Sequence, residues 1–172
     1  QVTHWLIDRG VRHLLLLARK TPSPNPFKIV ANDNVAIYDR SCDLGNFDEL
    51  QEILKSTLPE IPTIAGLFHC AGQLNDEPLV DSTSSGFESV LNGKALGAQN
   101  LDTLLESQPL EQFVMFSSAA SVLGNGGQSS YATANAFLDG VAHARKTRGL
   151  PALSINWGPF SGSGMATDES AS

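Results

Sequence analysis

The chain has 172 residues, 41% hydrophobic and 17% charged, and its 11 Lys and Arg set against 18 Asp and Glu leave a formal net charge of −7. That is enough chain for one globular domain whose core needs no disulfide framework, and an acidic balance without clustered Lys and Arg excludes a nucleic-acid-binding surface. A membrane role is excluded too: the longest apolar run, residues 14–18, is far short of the ~20 that span a bilayer, and no signal-peptide pattern opens the chain, so the expected compartment is the reducing cytoplasm.

Val2, Trp5, Leu6 and Arg9 fall at helical spacing with Gly10 as a stop, so residues 1–10 predict a helix. The apolar run over 13–18 predicts a strand buried on both faces. A loop with Pro22, Pro24 and Pro26 follows, then a second strand near 35–38. Asn46 with Glu49 three positions on has the form of a capping box, and Leu50, Ile53, Leu54 and Leu58 continue it as a helix. Beyond it the chain alternates: a strand over 64–70, one long or broken helix over 81–106, a strand over 112–116, a helix over 130–147 and a strand over 153–156. Such alternation with near-continuous apolar strands predicts an α/β fold, a doubly wound parallel sheet covered by helices on both faces. The Gly- and Ser-rich tail over 161–172 reads as a flexible loop or the start of a lid or linker. Cys42 and Cys70 lie in or beside apolar runs and read as buried thiols. His4, His13, His69 and His143 have no metal-ligand spacing; His69 reads as a satisfied core residue, and no metal is expected.

A helix that leads directly into a buried parallel strand needs an earlier strand for its crossover, and in nucleotide-binding sheets of this kind the first strand ends in a Gly-rich turn that meets the pyrophosphate. Both would fall before residue 1. The expectation is therefore a Rossmann-like sheet from which the first strand and Gly-rich turn are missing.

Three polar side chains stand out. Ser118 follows the strand over 112–116, where residues beyond the carboxyl ends of parallel strands face the ligand crevice. Tyr131 comes 13 residues later with Asn135 one turn on along the same helix face, and Lys94 precedes Ser118 by 24 residues.

These residues lie within FSSAAS at 116–121, Gly124 and GQSSYATANAFLD at 127–139, supported by RHLLLLAR at 12–19, CDL at 42–44, GLFHCAG at 66–72, KALGA at 94–98 and NWGP at 156–159. As an ordered set spanning nearly the whole chain they resemble the short-chain dehydrogenase/reductase superfamily, and within it the ketoreductase domains of modular polyketide synthases and related fatty acid synthases. Ordinary members of that superfamily carry Lys four residues after the Tyr. Here Asn135 stands there and the lysine is Lys94, the exchange that the synthase ketoreductases resemble.

The resemblance implies an NADPH-dependent ketoreductase acting on a β-ketoacyl thioester carried on the phosphopantetheine arm of an acyl carrier protein, beside neighbouring synthase domains, with residues 1–160 a partial catalytic domain. Reduction turns a carbonyl oxygen into an alkoxide, so donors must point at that oxygen and one must yield a proton. By the resemblance Ser118 polarises the carbonyl and Tyr131 gives the proton. A phenol ordinarily holds its proton to about pH 10, and Lys94 supplies the cation that eases its release while holding the cofactor ribose; Asn135 positions Lys94 or a relay water. Arg19, after the first predicted strand, meets a 2′-phosphate where a carboxylate would accept from a 2′-OH. Asp43 accepts from the adenine, alternatively capping a turn, Leu44 lies beside it, and Ala71 and Gly72 allow close approach of the cofactor. Asp76, after Asn75 where the usual motif has Asp, marks the group yielding the D-configured (3R) alcohol, and Leu123 stands where the other group carries Trp. A free-standing reductase of a diffusible ketone and a non-catalytic bracing subdomain are the competing readings. Without a central first strand the sheet is expected to separate into two half-sheets with exposed edges, and the 172-residue chain alone is expected neither to bind NADPH tightly nor to turn over.

Overall fold

The computed structural model describes residues 1–20 and 34–159, so the proline-rich loop and the tail over 161–172 lie outside the described residues. The chain forms two compact units, Gln1–Thr63 and Ile64–Ser172.

In the first unit, α1 (Val2–Asp8) precedes β1 (His13–Ala18), followed by β2 (Ala36–Ser41) and α2 (Phe47–Thr57). Gly10, at φ 98°, closes α1 with its own N–H on Ile7 O and the Val11 N–H on Leu6 O, a left-handed stop that glycine adopts without Cβ strain. β1 and β2 pair in parallel, His13 opposite Ala36 and Ala18 opposite Ser41. Asn46 caps α2 by accepting from the Glu49 N–H at 3.2 Å. Glu49 returns the contact to the Asp43 N–H at 3.3 Å, so the predicted box closes three residues further out. Leu50 and Leu54 carry the apolar side of α2 into the core with Cys42 and Leu44. Burial and the nearby Glu49 and Asp43 carboxylates push the Cys42 thiol up to about 11, which keeps it protonated and inert.

One expectation fails here. The 13–18 run is a strand but is not buried on both faces: Leu14 is buried, whereas Leu15, Leu16 and Leu17 are half-buried. The reason is the number of neighbours, because among the described residues β1 pairs with β2 alone in a two-stranded sheet.

In the second unit β3 (Gly66–His69), β4 (Gln112–Ser118) and β5 (Leu153–Trp157) form a parallel sheet in that order. Gly66 stands opposite Gln112, and Ser118 opposite Trp157. Between β3 and β4 runs a helix interrupted once: α3 (Ser84–Leu91), a π-helical turn over Asn92–Leu96, and α4 (Gly97–Leu104). Thr83 caps α3, its hydroxyl accepting from the Gly86 N–H at 3.1 Å. The helix expected over 81–106 is thus present and broken by a widened turn. After β4 a four-residue helix, α5 (Ala120–Leu123), precedes α6 (Ser129–Thr147). The buried side chains of this unit include Phe113 and Met115 of β4, Ala134 and Leu138 of α6 and Val90 of α3. Cys70, expected inside, is exposed just past β3. Among the described residues no helix is long and apolar enough to cross a membrane.

Candidate active site

Lys94 sits in the π-helical turn and is only 2% exposed. An extra residue in a helical turn redirects side chains and is often found at functional positions; here it carries an ammonium into the protein. Lys94 Nζ donates to Phe116 O at 2.8 Å and to Ala71 O at 3.4 Å, linking the carboxyl ends of β4 and β3. It also lies 5.7 Å from the centroid of the Tyr131 ring, within cation–π range. Burial pushes the Lys94 ammonium down to about 8, with the nearby Cys70 sulfur opposing the shift. The turn itself is held from below by His69, whose Nε2 meets Lys94 O at 2.8 Å. Because a carbonyl only accepts, Nε2 carries the proton. Burial drives the His69 pKa down to about 4, partly opposed by that bond, so the ring is neutral and donates steadily. His69 is the satisfied core histidine expected, with a definite task.

Ser118 ends β4 with its Oγ accepting from the Ala120 N–H at 3.2 Å. That contact fixes the oxygen and leaves the hydroxyl proton to be donated. Tyr131 opens α6, half-buried, and its hydroxyl has no hydrogen-bond partner among the described residues. Asn135, fully buried one turn later, gives its Nδ2 to Tyr131 O at 2.8 Å, while its backbone carbonyl accepts from Ser117 Oγ at 3.1 Å. Its Oδ1 is buried with no partner among the described residues. Lys94 and Tyr131 are thus in direct contact, Asn135 is tied to Tyr131 along the helix, and Ser118 is linked to both through its neighbours Phe116 and Ser117.

The loop after β3 is lashed to the loop before α6. Gln128 Nε2 donates to Asp76 Oδ2 at 2.8 Å, and the Glu77 N–H donates to Gly127 O at 2.8 Å. Asn75 Nδ2 turns to Glu77 Oε1 at 2.8 Å, and both pack on Gly86 so closely that an added Cβ would lie 2.6 Å from Asn75 Nδ2. Leu123 ends α5 and is 81% exposed. Ala71 and Gly72 continue directly from β3, Ala71 through its carbonyl's contact with Lys94.

The remaining candidates belong to the first unit. Arg19 follows β1, its carbonyl accepting from Ser41 Oγ at 3.0 Å. Asp43 Oδ1 accepts from the Gly45 N–H at 3.0 Å, the turn-capping alternative, and Leu44 buries its side chain.

Residue spacing alone does not single out Asp139, although it closes the 127–139 motif. It accepts from Ser154 Oγ at 2.5 Å, Ser121 Oγ at 2.7 Å and Asn156 Nδ2 at 2.9 Å. Burial by itself would raise this carboxyl, but the hydrogen bonds from Ser154, Ser121 and Asn156 outweigh it and hold the group below the usual carboxylate range. A signal did exist: Ser154 and Asn156 alternate on one face of a short strand, where a buried strand would carry apolar residues.

The KR domain family model matches residues 1–162. Erythronolide synthase EryA3 of Saccharopolyspora erythraea is 36% identical over 173 residues, covering 98% of this chain and 5% of that protein. Polyketide synthase GfsB of Streptomyces halstedii is 39% identical over 159 residues, covering 90% of this chain and 3% of its own length. The solved structure of A-type ketoreductases from a modular polyketide synthase superposes with a TM-score of 0.85 at 34% identity, covering 98% of this chain and 36% of that one. The parallel sheets flanked by helices are therefore Rossmann-like, in the manner of the short-chain dehydrogenases. Matched by that family model over residues 1–162 and by synthase relatives along nearly its full length, the chain belongs to the KR, or ketoreductase, domain family.

Proposed function

We propose that the chain supplies the catalytic side chains of a ketoreductase that reduces a β-ketoacyl thioester, held on the phosphopantetheine arm of an acyl carrier protein, to the D-configured (3R) β-hydroxyacyl thioester during polyketide assembly. The observation that carries this reading is the buried Lys94 ammonium lying over the Tyr131 ring. Two further features fit a nicotinamide dinucleotide: Lys94 has a third N–H beyond its two carbonyl contacts, available to a ribose hydroxyl, and Asn135 Oδ1 is a buried acceptor open to a relay water.

NADPH, when bound, supplies the hydride. Ser118 donates its hydroxyl proton to the substrate carbonyl oxygen, polarising it. As the carbonyl carbon gains the hydride, the oxygen takes the Tyr131 phenolic proton. Lys94 stabilises the phenolate left behind, which a low-dielectric site does more strongly than water. The proton is then restored to Tyr131 from solvent, by way of Lys94 or a water on Asn135. Arg19 would hold the 2′-phosphate and Asp43 the adenine, as in the family the chain resembles. Asp76 and Leu123 bear on the face from which the ketone is reduced, and the neighbouring synthase domains deliver the carrier.

The test uses the natural protein carrying this sequence, with NADPH oxidation followed on acetoacetyl thioester bound to a carrier protein. Tyr131→Phe should lower kcat by about three orders of magnitude, in the range that loss of a positioned proton donor costs, with NADPH affinity within twofold. Near-normal turnover overturns the assignment. Chiral analysis of the product tests the stereochemical part, since a 3S alcohol removes Asp76 from that role. Equal kcat/KM on a free ketone and on the carrier-bound substrate would favour the free-standing reductase instead.

A further inference from the structure

Asp139 lies about two turns beyond Tyr131 on α6. The groups that grip its carboxylate come from α5 and β5, on the far side of the segment that carries Ser118. Asn156 Nδ2 has two protons and meets Ser121 Oγ at 2.6 Å and Asp139 Oδ2 at 2.9 Å, with Ser118 O at 3.3 Å and Ser117 Oγ at 3.4 Å as longer contacts. The Ser121 hydroxyl donates its hydrogen bond to Asp139, and its oxygen is free to accept from Asn156. Ser117 completes the circuit by donating to the backbone of Asn135, back on α6. One carboxylate thus gathers two hydroxyls and an amide that bracket the carboxyl end of β4. Charged acceptors make the shorter and stronger hydrogen bonds of a network.

We propose that Asp139 is a positioning residue for the reduction: through Ser121 and Asn156 it locks the β4 end bearing Ser118 onto the helix bearing Tyr131, and so sets the separation of the two donors that address one carbonyl oxygen. This rests on the reductase reading above and adds to it the element that fixes its geometry. Displacement of a reacting group by about 1 Å costs on the order of 10²-fold in rate, so the alignment of Ser118 and Tyr131 needs a support this stiff. An apolar residue at 139 would fill space but orient nothing, and the three donors now aimed at it would each lose their acceptor.

The experiment measures turnover per NADPH-binding site, with site number from fluorescence titration, together with the deuterium isotope effect of NADPH labelled at the transferred position, in the natural protein carrying this sequence. Asp139→Asn, which keeps volume and removes charge, should lower kcat per site about tenfold or more, leave KM for NADPH within twofold and raise the isotope effect as hydride transfer becomes rate-limiting. Asp139→Glu, which restores the charge on a longer stem, should recover part of the loss. A purely structural role would reduce the number of binding sites without altering turnover at those that remain; that result, or kcat per site within twofold of the unaltered protein, overturns the proposal. Should Asp139→Asn not fold, Ser121→Ala is measured in its place: a tenfold fall in kcat per site supports the positioning role, and unchanged turnover per site overturns it. Tyr131→Phe, run alongside, separates the two claims: if it retains turnover the reductase reading fails, whereas its loss together with normal Asp139→Asn turnover overturns the positioning role alone.

Discussion

The two ends of α6 hold charge in opposite ways. At the carboxyl end Arg145 is buried, forms an ion pair with Asp102 of α4, donates Nε to Pro151 O at 3.0 Å and stacks 4.0 Å from the Phe113 ring centroid. Arg148 adds Asp102 at 2.5 Å and Glu106 at 2.8 Å. Positive charge is favoured where a helix presents its last carbonyls, and here several of the guanidinium protons also find acceptors. At the amino end, among the described residues, Tyr131 leaves its hydroxyl unbonded, Asn135 buries an acceptor with no partner, and Lys94 carries a charge into the protein with two carbonyls and no carboxylate for company. One end is saturated and the other left wanting. A saturated cluster stabilises the fold and has nothing to offer a substrate, while an unsatisfied one costs stability and keeps donors and acceptors in reserve.

The largest effect on stability should come from the saturated end. Asp102→Ala strands the Arg145 guanidinium in the core, and loss of one partner of a buried pair typically costs about 3–5 kcal/mol. Chemical denaturation should show a lower midpoint of that size, with kcat per folded site within twofold. A marked fall in kcat per site would mean that the two ends are coupled and the contrast false.

Lys94 gives the next effect, and with opposite signs for stability and rate. Its folded pKa, about 8, lies below the ordinary 10.5. Below pH 8 both folded and unfolded chains hold the ammonium, and the folded chain carries the whole cost of burying it. Between about 8 and 10.5 the unfolded chain binds the extra proton, so the contribution of this group to stability rises with pH, by an amount on the order of 3 kcal/mol for a shift of this size. If the proposed mechanism holds, turnover depends on the ammonium beside Tyr131 and should fall across the lower part of that window. Denaturation midpoints and kcat measured side by side between pH 7 and pH 10 test it; Lys94→Met should abolish the rising limb of stability, and its persistence would assign the titration to another group.

How much of this was legible in the residues follows from the range of the interactions. Strand and helix positions emerged from apolar runs and spacing, the Asn46 cap from three adjacent residues, and Ser118 at a strand end with Tyr131 on the next helix from the rule that parallel strands deliver ligand-binding groups at their carboxyl ends. The π-helical turn was not legible, because one additional residue in a helix of some 20 disturbs its periodicity too little to register. Nor was the exposure of Leu15, Leu16 and Leu17, which depends on how many strands flank β1 rather than on β1. Asp139 was hidden for a third reason: its partners lie 15 to 18 residues away in both directions, on elements that meet it only after folding.

The smallest stability change, and the sharpest test of the contrast, belongs to Asn135. It is fully buried, yet among the described residues Oδ1 lacks a partner and Nδ2 serves only the carbonyl of Tyr131 within the same helix. A helical carbonyl loses little when such a side-chain donor is withdrawn, and a buried unsatisfied oxygen is itself a burden of about 1–3 kcal/mol. Leucine has the same side-chain branching and heavy-atom count as asparagine but a larger volume, and it is apolar and a better helix former. Asn135→Leu should therefore leave the denaturation midpoint unchanged within about 1 kcal/mol, the sum of a relieved polar group and a modest packing strain. Turnover should nonetheless fall, because the acceptor held for a relay water or for Lys94 is gone, and KM for NADPH should move less than kcat. A loss of several kcal/mol with kcat per folded site intact would show that Oδ1 is satisfied in solution and serves the fold, which would place Asn135 with Arg145 and Asp102 rather than with Tyr131.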